Sequence, residues 1–154
     1  MTVNIDGRAT SSKQGFQMDC SVGINIKASP EKVLGILTNA ADFPRWNSTI
    51  ISLEGRIALG ERVKLKSTSS PKRVFPLTVV EFVPPSKMVW ADGNFMVKGV
   101  RTYTVTAKPD NTIDFTMREV ISGLMIPLIA KSFPDFKPYF EQYAADLKKE
   151  AEKM

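Results

Sequence analysis

The sequence predicts an α+β domain in which a strongly bent antiparallel sheet closes around a long C-terminal helix. Three patterns carry that expectation. Near the end of the chain, Ile129, Phe133, Phe136, Phe140, Tyr143, Leu147 and Ala151 recur in steps of three and four, which lines them along one helix face. Near its start, Phe16, Met18, Cys20, Val22, Ile24 and Ile26 alternate strictly, as a half-buried strand requires. Between them, residues 57–121 break into short alternating runs separated by Gly, Pro, Asn and Asp. A helix face that apolar needs a large partner surface, and the concave side of a bent sheet supplies one. Such a domain encloses a cavity.

The elements follow in order. Residues 1–15 carry Gly, Ser, Thr and charges without a sustained period and are expected to form a flexible N-terminal extension, leaving 16–154 as a single ligand-binding domain. The first strand stops at Ala28-Ser29-Pro30-Glu31, where Ser29 can cap a helix and Pro30 fits its first position. A short helix to about Asn39 and a second short turn through Arg45 come next. Further strands are expected at 50–53, 61–67, 73–83, 87–91, 100–108 and 112–121, which makes seven in all. Pro138 is tolerable only in a first helical turn, so the last helix should begin near Asp135, with Ser132 or Asp135 as its cap and a short turn over 124–131. The segment 132–138 then reads either as a plain helix start or as a hinge.

Composition narrows the chemistry. At 154 residues the chain fits one domain, and its 43% hydrophobic and 24% charged residues suit a folded globular protein. No apolar run reaches the length of a bilayer span, and the polar start lacks the apolar segment of a secretory signal, so a cytoplasmic location is expected. There is one cysteine and no histidine, which removes an internal disulfide, Cys-based or His-ligated metal sites and every His-dependent triad. No cofactor or metal is called for, and nothing marks a nucleic-acid binder. Any catalysis must rest on carboxylates, Tyr, Lys or Arg. Cys20 lies on the apolar face of its strand, where a packed thiol is expected rather than a nucleophile. The charge of +5 is modest; Arg62, Lys64 and Lys66 share one strand face, read as a solvated surface with weak membrane-surface contact as the alternative.

The last two strands locate polar groups. Matching the apolar faces Tyr103, Val105, Ala107 and Ile113, Phe115, Met117 sets Val105 opposite Phe115 and Tyr103 opposite Met117, because a slip of one residue would turn one set outward. The same register places Arg101 opposite Glu119, both facing the closing helix. A cation and a carboxylate in an apolar concavity must pair or meet a polar ligand. They read equally as the polar end of a ligand cavity and as an ion pair at the rim of the sheet.

Taken in order, Ile26-Lys27-Ala28-Ser29-Pro30-Glu31-Lys32-Val33, Asp42-Phe43-Pro44-Arg45-Trp46-Asn47, Gly60-Glu61, Pro84-Pro85, Val89-Trp90 and Glu119-Val120-Ile121-Ser122-Gly123-Leu124 resemble the START-related helix-grip (SRPBCC) superfamily in its polyketide cyclase/dehydrase branch. The resemblance spans nearly the whole domain. It implies a seven-stranded bent sheet gripping the C-terminal helix, two short helices after strand one, and a hydrophobic tunnel between sheet and helix. Relatives bind lipids, sterols, polyketides or other apolar molecules, and some catalyse cyclisation or dehydration. Relatives in this branch often carry histidine at the position of Arg101, a departure that argues against an aromatase or cyclase here. The expected ligand wall comprises Arg101, Tyr103, Phe115, Met117 and Glu119 on the sheet, with Met125, Leu128, Ile129, Phe133 and Phe136 beyond it. Binding or transfer of a hydrophobic small molecule or lipid is the leading expectation; the alternative is a cyclase or dehydratase using Glu119 for proton transfer and Arg101 or Tyr103 to stabilise an oxyanion.

Overall fold

The computed structural model describes residues 3–153; Met1, Thr2 and Met154, at the edges of the two predicted segments, lie outside the described residues. One antiparallel sheet runs through the molecule in the order β1-β2-β8-β7-β6-β5-β4-β3. Its strands are β1 (Thr10–Gln14), β2 (Gln17–Ile26), β3 (Ile50–Glu54), β4 (Arg62–Ser67), β5 (Phe75–Val83), β6 (Lys87–Gly93), β7 (Lys98–Ala107) and β8 (Ile113–Ser122). The helices are α1 (Pro30–Leu37), α2 (Phe43–Trp46), α3 (Ile126–Ile129) and α4 (Lys137–Ala151).

The sheet has eight strands where seven are expected. The extra one is β1, inside the stretch read as an extension; all five of its residues are exposed, so no apolar alternation announces it. Its backbone pairs with β2 from Thr10 opposite Ser21 to Gln14 opposite Gln17. Bulges between Ile50 and Ser52 and between Val79 and Glu81 interrupt the ladders of β3 and β5, and such interruptions bend a sheet.

Helix α1 starts as its sequence dictates, with the Ser29 hydroxyl accepting from the Lys32 N–H at 3.1 Å and Pro30 in the first turn. Helix α4 starts two residues later than expected. Neither Ser132 nor Asp135 is its cap; Phe136 holds that position without a side-chain bond, while Asp135 accepts from the Lys137 N–H at 3.1 Å. The Ser132 hydroxyl instead donates to the Ile129 carbonyl at 2.6 Å, closing the turn after α3.

Phe140, Tyr143, Ala144, Leu147 and Ala151 are the buried face of α4. Tyr143 stacks on Phe115 of β8 with ring centres 6.4 Å apart and meets Tyr103 of β7 at 6.3 Å. On its other side, Trp46 of α2 stands edge-on at 6.1 Å. The two short helices therefore plug one end of the groove between sheet and α4. Ser48 ties that plug to α4, its N–H and hydroxyl donating to Asp146 Oδ2 at 2.8 and 2.7 Å. Among the described residues no helix is long and apolar enough to cross a membrane.

Candidate functional site

The other end of the groove is not filled. Between β3 to β8, the 129–134 segment and α4 lies a cavity of about 430 Å³. Ile50, Leu65, Phe75 and Leu77 form its apolar wall on the far strands, and Met117, Phe136 and Phe140 form the near side. Its buried end is polar. Arg101 Nε donates to Glu119 Oε1 at 3.0 Å, and only 14% and 21% of the two side chains is exposed. The Arg101 guanidinium lies 5.1 Å from the centre of the Phe140 ring, a cation–π contact that holds it against α4. Burial works to lower the Arg101 pKa, but the Glu119 carboxylate and the phenols of Tyr103 and Tyr143 outweigh it, so the group sits above its ordinary value and stays cationic.

Beside this pair, the Tyr143 hydroxyl is buried and makes no well-formed hydrogen bond among the described residues, although the Tyr103 phenol stands close by. Burial raises its pKa well above that of an ordinary phenol, with the neighbouring Tyr103 adding to the effect, so Tyr143 is neutral and can donate or accept. An orphaned polar atom of this kind costs stability unless something fills its valence.

A second carboxylate, Asp92, faces the same space. Burial and then the Glu119 charge raise its pKa, with Arg73 opposing. Its register partner is Gly99, where an added Cβ would come within 2.8 Å of Asp92 Oδ1, so the missing side chain leaves room for the carboxylate. The outer end of the cavity is hydrophilic, with Ser67, Ser69 and Ser70 and the exposed Arg73, whose guanidinium lies 5.0 Å over Phe75.

A smaller cavity of about 240 Å³ lies beneath β1 and β2 and shares Glu119, Ile121, Pro134 and Phe136 with the larger one. Cys20 is on its wall, 3% exposed, and burial pushes the thiol up to about 12, which removes it as a nucleophile at neutral pH.

Of the residues expected to line a ligand site, Arg101, Met117, Glu119, Ile129, Phe133 and Phe136 come together around the cavity. Tyr103 and Phe115 lie deeper, in the aromatic core under Tyr143. Met125 does not border the space, and Leu128 points to solvent with 77% of its surface exposed. The helix periodicity identifies Tyr143 and Phe140 only as a buried face, and nothing in the local pattern marks Asp92; all three line the cavity. Among the described residues no group of three or more acidic, Cys or His side chains is placed to hold a metal ion.

A bent antiparallel sheet gripping a long terminal helix, with a cavity between them, defines a START-like, helix-grip protein. The chain belongs to the family described as polyketide cyclase / dehydrase and lipid transport, whose model matches residues 17–152. Solved structures share the fold at low identity. A START superfamily protein from Mycobacterium smegmatis superposes with a TM-score of 0.65 at 16% identity, over 90% of this chain and 98% of that one. The di-domain ARO/CYC StfQ from the steffimycin biosynthetic pathway gives 0.69 at 10% identity, over 89% of this chain and 52% of its own. Truncated norcoclaurine synthase from Thalictrum flavum gives 0.63 at 10%, over 93% and 100%. No curated protein matches by sequence.

Proposed function

We propose that this protein binds or transfers a hydrophobic small molecule or lipid, whose apolar body occupies the 430 Å³ cavity and whose polar end meets Arg101, Glu119 and Tyr143. The observation that carries the reading is the Tyr143 hydroxyl, buried without a well-formed hydrogen bond beside a half-buried ion pair at the closed end of a space whose middle is apolar. A ligand carbonyl, hydroxyl or carboxylate would complete its hydrogen bonding. Native mass spectrometry of the purified protein, followed by solvent extraction, tests it. A discrete apolar adduct that disappears in Met117→Trp, which fills the cavity, is the expected result. An adduct that survives that substitution would place the ligand elsewhere.

The family description and the likeness to an ARO/CYC protein support a second reading, a cyclase or dehydratase in which Glu119 moves a proton and Arg101 holds a developing oxyanion. Glu119→Gln separates the two. It leaves ligand retention nearly intact in a binding protein and abolishes turnover of the extracted compound in an enzyme.

A further inference from the structure

Three turns meet at the open end of the sheet. The Gly123 N–H donates to the Phe16 carbonyl at 3.0 Å, the Leu124 N–H to the Phe95 carbonyl at 3.1 Å, and the Met125 N–H to the Met96 carbonyl at 3.0 Å. These bonds stitch the β1–β2 turn, the β6–β7 turn and the β8–α3 connection into one tip. Among the described residues, the tip carries half of the large hydrophobic side chains left in solvent: Phe16 at 58%, Phe95 at 72%, Met96 at 36%, Leu124 at 57% and Leu128 at 77% exposed. Leu128 joins them from α3, one turn beyond Leu124. Gathered apolar side chains of this size mark an interaction surface.

Its charge says what it meets. Residues 13–18, 93–100 and 122–134, which build the tip, contain Lys13, Lys98 and Lys131 and not one aspartate or glutamate. All three lysines are exposed. Three acids flank these segments: Asp19 pairs with Arg118 at 3.0 Å, Asp92 borders the cavity, and Asp135, exposed near Lys13, accepts the Lys137 N–H, so the tip itself keeps its positive charge. The apolar residues are also carried on separate turns, so they form protruding points rather than a groove for a helix or strand. Protruding apolar points among cations fit the headgroup and upper acyl layer of an anionic bilayer. The tip also adjoins the cavity, since Met96 precedes Val97 and Leu128 precedes Ile129, and both second residues line it.

We infer that this tip is a membrane-docking surface, which inserts Phe16, Phe95, Leu124 and Leu128 into an anionic lipid monolayer and brings the cavity to the bilayer. The inference does not depend on what the cavity holds.

Sedimentation of the full chain with vesicles of phosphatidylcholine, with and without phosphatidylglycerol, tests it. The wild-type chain should pellet with the anionic vesicles and weaken with salt, and a Phe95→Trp variant should shift its emission to the blue on binding them. The Phe95→Ser, Leu128→Ser double variant should partition at least about tenfold less while unfolding at an unchanged midpoint, because both residues lie in solvent. Equal partitioning of the double variant, or no binding by the wild type, overturns the inference. So does loss of binding in an Arg62→Gln, Lys64→Gln variant alone, which would assign the contact to the basic strand. A dimer that the double variant dissolves, with no vesicle binding, would overturn it in favour of a second copy of the chain. The assay needs no ligand, so its failure leaves the cavity reading standing, and an empty cavity leaves this one standing.

Discussion

Arg101 and Glu119 face each other across β7 and β8, joined at 3.0 Å, with the guanidinium resting on the Phe140 ring of α4. One contact thereby couples the two strands to the helix that closes over them. Desolvating both charges costs much of what their attraction returns, so the pair contributes less to stability than to holding a polar point inside an apolar groove.

Breaking it from one side should be worse than replacing it. Arg101→Met leaves Glu119 partly buried and unpaired and is expected to destabilise by about 2 kcal/mol, whereas Arg101→Met with Glu119→Leu should recover most of that loss. Urea denaturation of the two variants and the parent measures it; a double variant as unstable as the single one would mean that the ion pair itself stabilises the fold.

Tyr143→Phe should separate stability from binding. The hydroxyl is buried without a well-formed hydrogen bond, so its removal is expected to leave the ligand-free protein equally stable or to stabilise it by up to about 1 kcal/mol. The same change should lower the fraction of protein that retains its adduct in native mass spectra. Unfolding midpoints and adduct occupancy from one preparation show both effects.

Alkali should unfold the protein through groups held neutral. Burial pushes Cys20 from its ordinary 9.0 up to about 12, and it raises Tyr103 and Tyr143 above theirs. A weak acid with a raised folded-state pKa contributes stability below its unfolded value and loses it as the pH climbs toward the folded one. Stability should therefore be insensitive to these groups below pH 9 and fall between 9 and about 12. Denaturation midpoints across that range, with Cys20→Ala flattening the early part of the decline, check the assignment.

Gly123 and Gly15 make a matched test of backbone strain. Gly123 has φ +143°, and an added Cβ there would collide with the Met96 carbonyl; Gly15 has φ +57° with open space around it. Gly15→Ala should cost about 1 kcal/mol from conformation alone, and Gly123→Ala should cost clearly more, about 2 kcal/mol or above. Urea unfolding of both variants decides, and equal losses would show that the turn at 123 relaxes.

Local rules exposed the parts of the fold that local physics determines. The Ser29-Pro30 start of α1 and the pairing of Val105 with Phe115, Tyr103 with Met117 and Arg101 with Glu119 follow from capping chemistry and face matching, and the structure has all of them. β1 was not legible, because an edge strand with both faces in solvent needs no apolar alternation. The wall formed by Ile50, Leu65 and Leu77 was hidden for another reason, since it depends on how far the sheet bends. Leu128, expected on the ligand wall, lies in solvent instead, because it belongs to a separate four-residue helix whose direction is set by its own turns and not by the face of α4.

The order of the sheet also governs how the chain finds its fold. From β3 to β8 every strand pairs with its sequence neighbour, so these ladders can form by short, fast hairpin closures. β2 is different: it is made early in the chain but pairs with β8, after α1, α2 and five intervening strands. That single long-range closure carries most of the loop entropy of the topology and must wait until the meander is complete. Until then the α4 groove has only one wall, and the free edge of β8 is the surface from which misfolding or aggregation would start.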